Sequence, residues 1–175
     1  MHLDSNLSEL IDAALSHVPD AREGLPQELF YFVSRMTPMV NVDLLIKNKV
    51  GQTLLTWRED EFYGPAWHIP GGIIRFKERI EDRIEKVANS EVGCGVRFSP
   101  DPINVRGMIN TNRDIRGHFI SLVYLCELDG VPTPSNEVKG DIPLAGQWSW
   151  HDSAPKNLIS VHDSFRKFIN ETQPL

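Results

Sequence analysis

The stretch Ile69-Pro-Gly-Gly-Ile-Ile-Arg-Phe-Lys-Glu-Arg-Ile-Glu-Asp-Arg-Ile-Glu-Lys-Val-Ala-Asn-Ser-Glu-Val-Gly-Cys94 decides how the chain reads. A Gly pair interrupts the backbone after an apolar run, a charged turn follows, and a helix predicted over residues 77–92 closes on Gly93. Ile80, Ile84, Val87 and Ala88 recur at i, i+4, i+7 and i+8, so they form the buried stripe of that helix. At about 100° per residue Glu91 falls within the same stripe. A carboxylate on a buried face costs free energy unless a positive group meets it, and that group is either an arginine or a metal ion. Gly71 and Gly72 let the backbone approach a ligand and expose carbonyl oxygens. Hard cations such as Mg²⁺ or Mn²⁺ take oxygen ligands, few of them from protein when phosphate and water complete the shell. Glu91 with the Gly71 carbonyl meets that need. Glu81 and Glu85 read as a solvated face, and Glu78 as a brace for the turn.

Working outward, residues 5–17 carry Leu7, Leu10, Ile11, Ala14 and Leu15 at helical spacing, and Pro19 stops that helix. Pro26 begins a second helix with Leu29, Phe32 and Val33 on one face. Residues 1–36 therefore form a helical extension ahead of a domain over 37–175, with packing as its simplest role. Residues 39–47 read as a strand and residues 53–57 as its hairpin partner across the turn Asn48-Lys-Val-Gly51. Asp43 interrupts the first strand. It lies either on a solvated face or buried with a partner, and strand acids that face a pocket read a ligand hydroxyl or a base edge. Residues 66–70 form a short strand into the Gly pair. Strands over 96–98, 105–109, 119–128 and 147–150 follow, the third nearly all apolar and therefore central. Residues 110–117 make a polar, donor-rich turn, and 130–146 a long Pro-rich loop of the kind that carries function or moves. Residues 160–171 close the chain as a helix with Val161, Phe165, Phe168 and Ile169 on one face.

The 175 residues fit one domain, and 41% apolar with 24% charged residues is the composition of a soluble globule. A formal charge of −6 makes nucleic acid an unlikely partner over the surface as a whole. No apolar run is long enough to span a membrane, and the N-terminal decapeptide does not read as a secretory signal. Cys94 and Cys126 sit in apolar surroundings and read as reduced core thiols of a cytoplasmic protein. Arg58 and Arg75 can make bidentate phosphate contacts, although Arg58 is by default a surface residue. No pair of histidines has ligand spacing. His118, which opens the central strand beside the donor-rich turn, is the histidine best placed for a role.

The motif in these residues resembles the Nudix box: Gly, five residues, Glu, seven residues, then Arg-Glu-apolar-x-Glu-Glu-x-Gly-apolar. Five residues separate Gly72 from Glu78, and seven separate Glu78 from Lys86-Val-Ala-Asn-Ser-Glu-Val-Gly-Cys94. Gly72, Glu78, Glu91, Gly93 and the apolar Ala88 and Cys94 are kept. Lys86, Val87 and Ser90 stand where the box has Arg and two Glu. The resemblance implies an α+β fold, the Nudix α/β/α sandwich with a mixed sheet. It also implies a divalent cation and a nucleoside diphosphate derivative as substrate, here with one strong box ligand, Glu91. From Met36 to Gly93 the chain is similar to the GDP-mannose mannosyl hydrolases, a Nudix subgroup with a reduced box and a single Mg²⁺. Thr37-Pro-Met-Val-Asn-Val-Asp43 resembles the subgroup's Thr-Pro-Leu-Val-Ser-Leu-Asp, and Arg58 matches its substrate-contacting Arg. That likeness implies a nucleotide-sugar hydrolase in which Glu91 and the Gly71 carbonyl bind metal. Arg58 and Lys86 hold phosphate, and Asp43 reads nucleoside or sugar. Ile73 replaces an Arg of the subgroup, a contact that Arg75 can restore. The loop that carries the subgroup's catalytic His reads Ser135-Asn-Glu-Val-Lys-Gly-Asp141 and contains none, so Glu137 or Asp141 is the expected base. A homodimer is compatible with this reading. The missing acids also fit a Nudix-fold module that binds nucleotide or a protein without turnover.

Overall fold

The structure, a computed structural model, describes residues 5–171, so the first four residues of the N-terminal decapeptide lie outside it. Helices α1 (Ser5–Leu15) and α2 (Gln27–Met36) precede strand β1 (Met39–Ile46). Then come β2 (Thr53–Arg58), β3 (Ala66–His68), β4 (Gly71–Ile73), α3 (Ile80–Val87), β5 (Gly95–Phe98), β6 (Asn104–Ile109), β7 (His118–Asp129), β8 (Trp148–His151) and α4 (Arg166–Asn170). The α+β class and the mixed sheet expected from the sequence are present. The strands lie in the order β4-β1-β7-β5, and β6 pairs with the other end of β7. Strand β1 runs parallel to β7, and the remaining pairs are antiparallel. A second, antiparallel sheet has the order β3-β2-β8.

The alternation of β1 separates two cores. Val42, Leu44 and Ile46 face Ile84, Val87, Ala88 and Val92 of the α3 segment. Leu45 points the other way, with Leu55, Trp67, Ile69, Phe165, Phe168 and Ile169. These two buried clusters, one on each side of a shared sheet, make the sandwich.

Three local expectations change. Residues 39–47 and 53–57 do not form an extended hairpin: only Lys47 and Thr53 bridge, and β2 then leaves for the second sheet. The Gly pair is not a loop but strand β4, antiparallel to β1. The closing segment divides into a 3-10 turn, Ser160–Phe165, and the short α4. His162 and Phe165, three residues apart, are the buried side chains of the turn, Phe168 and Ile169 those of α4, and Val161 faces a cavity instead.

Helix α3 starts at Ile80, later than the periodicity predicts, and ends in a π-helical turn over Ala88–Val92. Gly93 closes it in the left-handed region at φ 83°. A Cβ there would meet the Thr133 Oγ1 at 1.8 Å, so glycine is required by space as well as by conformation. The Thr133 N–H donates to the Val92 carbonyl at 2.9 Å, which fastens the Pro-rich loop to the helix end. At its other end the Gly146 N–H donates to the Trp57 carbonyl at 2.9 Å. Among the described residues no helix is long and apolar enough to cross a membrane.

Lys47 secures the C-terminal segment. Its ammonium is buried and donates to the carbonyls of Ile169 (3.0 Å), Glu171 (2.7 Å) and Gly51 (3.3 Å). Burial holds its pKa below the usual lysine value, opposed by the charge of Glu171. Lys47→Met keeps the stem and leaves those carbonyls without their donor. It should cost about 2–3 kcal/mol of folding stability, read as a lower urea midpoint at unchanged m-value.

Candidate active site

Strand β4 can lie against β1 because residues 71 and 72 lack side chains. A Cβ on Gly71 would meet the Asp43 Oδ1 at 2.4 Å, and one on Gly72 would meet the Val87 Cγ2 at 2.7 Å. The glycines thus serve close approach to a carboxylate and to α3. Asp43 is 1% exposed. Its Oδ1 accepts from Asn41 Nδ2 at 2.8 Å, and its Oδ2 accepts a short hydrogen bond from the Ser121 hydroxyl. Burial pushes its pKa up to about 6 against the pull of those two bonds. His162, also buried, accepts the Ile69 N–H on Nδ1 at 3.1 Å. Its proton is therefore on Nε2, which lies 3.8 Å from Asp43 Oδ1. Burial and the nearby His68 and Arg58 hold His162 neutral.

Glu91 sits where the π-helical turn brings it to β2 and β4. Its Oε1 accepts the Gly71 N–H at 3.2 Å, and its Oε2 lies 3.1 Å from the Thr56 hydroxyl. The side chain is 26% exposed. Burial pushes its pKa up to about 7, partly offset by the Gly71 and Thr56 bonds and by Arg58, while Asp43 adds to the rise. His68 clarifies the proton inventory. Its Nδ1 lies 2.9 Å from the Ile69 carbonyl and so carries the proton, leaving Nε2 as acceptor, 2.9 Å from Thr56 Oγ1. Burial keeps this ring neutral, with its pKa lowered to about 4. One Thr56 proton then faces two acceptors. When Glu91 is protonated it donates to Thr56, whose own O–H turns to His68, and all three are satisfied.

Two adjoining hollows meet at this cluster. A cavity of about 170 Å³ is lined by Asp43, His162, Arg58, Tyr63 and Arg116 among others. A cleft of about 340 Å³ is lined by Glu91, Glu59, Trp57, Ala145 and Gly146. Arg58, His68 and Gly71 border both. Arg58 is held by Asp60 and lies 5.0 Å from the Tyr63 ring centroid, and Arg113 lies 4.5 Å from the same centroid. Glu91 is thus about half-protonated near neutral pH, while Asp43 is largely ionised there and takes up its proton nearer pH 6. Arg58, Arg113 and Arg116 gather around the Phe62 and Tyr63 rings, with Asp60 paired to the first.

The sequence-predicted residues divide on this geometry. Asp43, Arg58, Gly71 and Glu91 come together. Arg75 does not join them: its guanidinium donates to the Arg22 carbonyl at 3.3 Å and lies 3.9 Å from Glu23, binding the N-terminal segment instead. Lys86 is engaged by Glu78 at 3.0 Å. Glu78 is 4% exposed and braces the turn as expected. Burial alone would raise its pKa, but the Arg75 N–H with Lys86 and Arg83 holds it down to about 2. His118 faces a different hollow, beside Ser34 and Asn110. Glu137 is exposed, pairs through its backbone with Trp148 and borders neither hollow. Four further participants, His68, His162, Thr56 and Arg116, carry no sequence motif of their own. Only the donor-rich turn over 110–117 signals one of them, Arg116. The others reach the site through strand pairing and the closing 3-10 turn.

No protein-family model matches the chain. It is 28% identical over 109 residues to the low-salt glycan biosynthesis protein Agl8 of Haloferax volcanii, across 60% of this chain and 69% of that protein. It is 30% identical over 101 residues to the ADP-ribose pyrophosphatase of Methanocaldococcus jannaschii. That match covers 53% of each, so the aligned region spans about half of that relative. Among solved structures, the MutT Nudix hydrolase of Burkholderia pseudomallei superposes with a TM-score of 0.56 at 23% identity, over 78% of this chain and 98% of that one.

Glu91 gives a pH signature. In the unfolded chain it titrates at about 4.5 and in the folded protein at about 7. Between those values the folded state holds a proton that the unfolded state has lost, so stability falls as pH rises. Glu91→Gln removes this loss. In EDTA the variant should be more stable than the parent by about 1–2 kcal/mol at pH 8, with the gap closing towards pH 5. Urea titrations of both proteins at the two pH values check it.

Proposed function

Taking the Nudix fold of this chain as premise, we propose that it is a divalent-cation-dependent hydrolase of a nucleoside diphosphate derivative, most simply a nucleotide sugar. The observation that carries the reading is Glu91: a carboxylate raised to about 7, opening on a cleft that continues into a cavity with a buried acid and two guanidinium groups. The fold's likeness to Nudix hydrolases and the partial match to an ADP-ribose pyrophosphatase support a phosphoanhydride substrate class. The resemblance to GDP-mannose mannosyl hydrolases supports the sugar.

The donor set fits one hard cation. Glu91 offers a carboxylate with lone pairs beyond its bonds to Gly71 and Thr56, Glu59 borders the same cleft, and a Gly71 carbonyl completes the protein's share. Among the described residues no cluster of three ligating side chains is present. Of the Glu-rich helix that holds several ions in a full box, Val87 and Ser90 leave Glu91 as the strong ligand. Bound Mg²⁺ or Mn²⁺ would neutralise the diphosphate and favour departure of a phosphorylated leaving group. Arg58 binds phosphate from the cavity side. Asp43, fixed by Ser121 and Asn41, orients a hydroxyl of the sugar or nucleoside. Water is the nucleophile, and Glu91 would be ionised while it holds the cation. The Glu137 base expected from the sequence has no place in this mechanism, because its side chain borders neither hollow.

A second reading, a nucleotide-binding module without turnover, rests on Val87 and Ser90. Val87 is buried against Gly72, and the Ser90 hydroxyl donates to the Val87 carbonyl at 3.2 Å. Neither position offers a metal ligand in place of the missing acids. A panel of nucleoside diphosphate sugars, ADP-ribose and nucleoside triphosphates with Mg²⁺ or Mn²⁺ separates the two. Product release from at least one diphosphate, reduced by about 100-fold or more in Glu91→Gln, is the expected result. A flat panel with nucleotide-induced thermal shifts would establish the second reading instead.

A further inference from the structure

Among the described residues Arg116 has no counter-charge within ion-pair distance, and Asp60 favours its charge only from farther away. Among the described residues its guanidinium makes no hydrogen bond and no ion pair, and its Nε is buried without an acceptor. Its neighbours are ring faces, with centroids 4.9 Å away at Phe62 and 5.6 Å away at Phe30. Arg58, on the same cavity, stands close enough to disfavour its charge, and burial acts the same way and more strongly. A guanidinium whose Nε is buried without an acceptor, and which faces a like charge, opposes folding. Ring contacts return part of that cost. An anion between the two arginines would relieve it.

The backbone holds Arg116 in place. It lies in the left-handed region at φ 54°, a conformation uncommon for a residue with a side chain. The next residue, Gly117, packs so tightly that a Cβ would meet the Arg113 carbonyl at 2.3 Å. The Gly117 carbonyl accepts the Asn110 N–H at 2.7 Å, closing the turn between β6 and β7. The Arg116 N–H donates to Ser34 Oγ of α2 at 3.2 Å. Tyr31 of the same helix reaches Glu61 at 2.7 Å and packs edge-on to Phe62. Helix α2 therefore positions both the arginine and the aromatic shelf beneath it.

We propose that Arg116 and Arg58 together form the diphosphate grip of this cavity, a binding site in the free protein that does not require the cation. The inference rests on the hydrolase reading and deepens it by naming the residue that replaces Arg75 and Lys86 in phosphate binding. The N-terminal extension then takes part in substrate binding, because α2 shapes the site through Ser34, Phe30 and Tyr31.

Calorimetric titration of inorganic pyrophosphate and of ADP in EDTA, on the full chain, tests the grip. Arg116→Gln and Arg116→Ala should each weaken pyrophosphate binding by about tenfold or more, and Arg58→Ala comparably. Arg97→Ala, which removes an exposed arginine paired to Glu127, should leave it within about twofold. Arg116→Lys, with charge but no fork, should fall between parent and Arg116→Gln. The same order for ADP places the contact on phosphate. Binding within about twofold of the parent in a folded Arg116→Gln, or no pyrophosphate binding by the parent in EDTA, would overturn the proposal. Failure of the hydrolase reading is separable: a flat substrate panel with arginine-dependent pyrophosphate binding leaves the grip standing. Turnover with unchanged KM in Arg116→Gln overturns the grip and leaves the hydrolase.

Discussion

The contact between Gly71 and Asp43 governs much of this structure. Glycine at 71 allows β4 to lie on β1 with a carboxylate oxygen where a side chain would otherwise project. The same residue turns its N–H to Glu91. Two acids from distant parts of the chain are thereby held on either side of one strand, one lining the cavity and one at the edge of the adjoining cleft. Each is short of compensating positive charge, and burial lifts both towards neutrality. The electrostatics of the site follow from a packing constraint at one backbone position.

Around that contact the protein places groups with fixed proton states. Backbone partners set the tautomers of His68 and His162: the Ile69 carbonyl accepts from the first and the Ile69 N–H donates to the second. One residue of the β3–β4 link thus orients both rings. Neither ring is free to act as a strong base through the nitrogen so used, and the titrating work near pH 7 falls to the carboxylates. The arginines supply the opposite sign, and aromatic rings of the β2–β3 loop, rather than acids, support two of them, Arg113 and Arg116. That arrangement suits an anion that arrives and leaves.

Much of the fold is legible in the sequence because it rests on local periodicity. The apolar stripe from Ile80 to Ala88, the alternation along residues 39–46 and the apolar run from 119 to 128 each announce their element. Gly93 announces the end of the helix. Where the linear reading fails, the cause is shared: pairing and packing between distant segments. Gly71 and Gly72 look like a loop because two glycines lack strand propensity, and only the proximity of Asp43 and Val87 shows why they stand in a strand. Residues 39–47 and 53–57 look like a hairpin, and only the pairing of β2 with β8 and β3 sends them to different sheets. His118 opens the right strand but borders another hollow, since alternation along β7 gives the cavity side to Phe119.

The sequence by itself determined the order of elements, the Gly–Glu–Lys–Glu–Gly spacing that resembles the Nudix box, and Glu91 as an acid that burial would force to find a partner. Tertiary structure decided which cations share its site. Arg75, Lys86 and Arg58 are the candidates of a linear reading, which does not single out Arg116. The first two border neither hollow and pair with Glu23 and Glu78, while the β2 register and the turn before β7 bring the others to the cavity. The physical reason is that a cation's role depends on the surface it reaches, and that position is set by the packing of the whole chain.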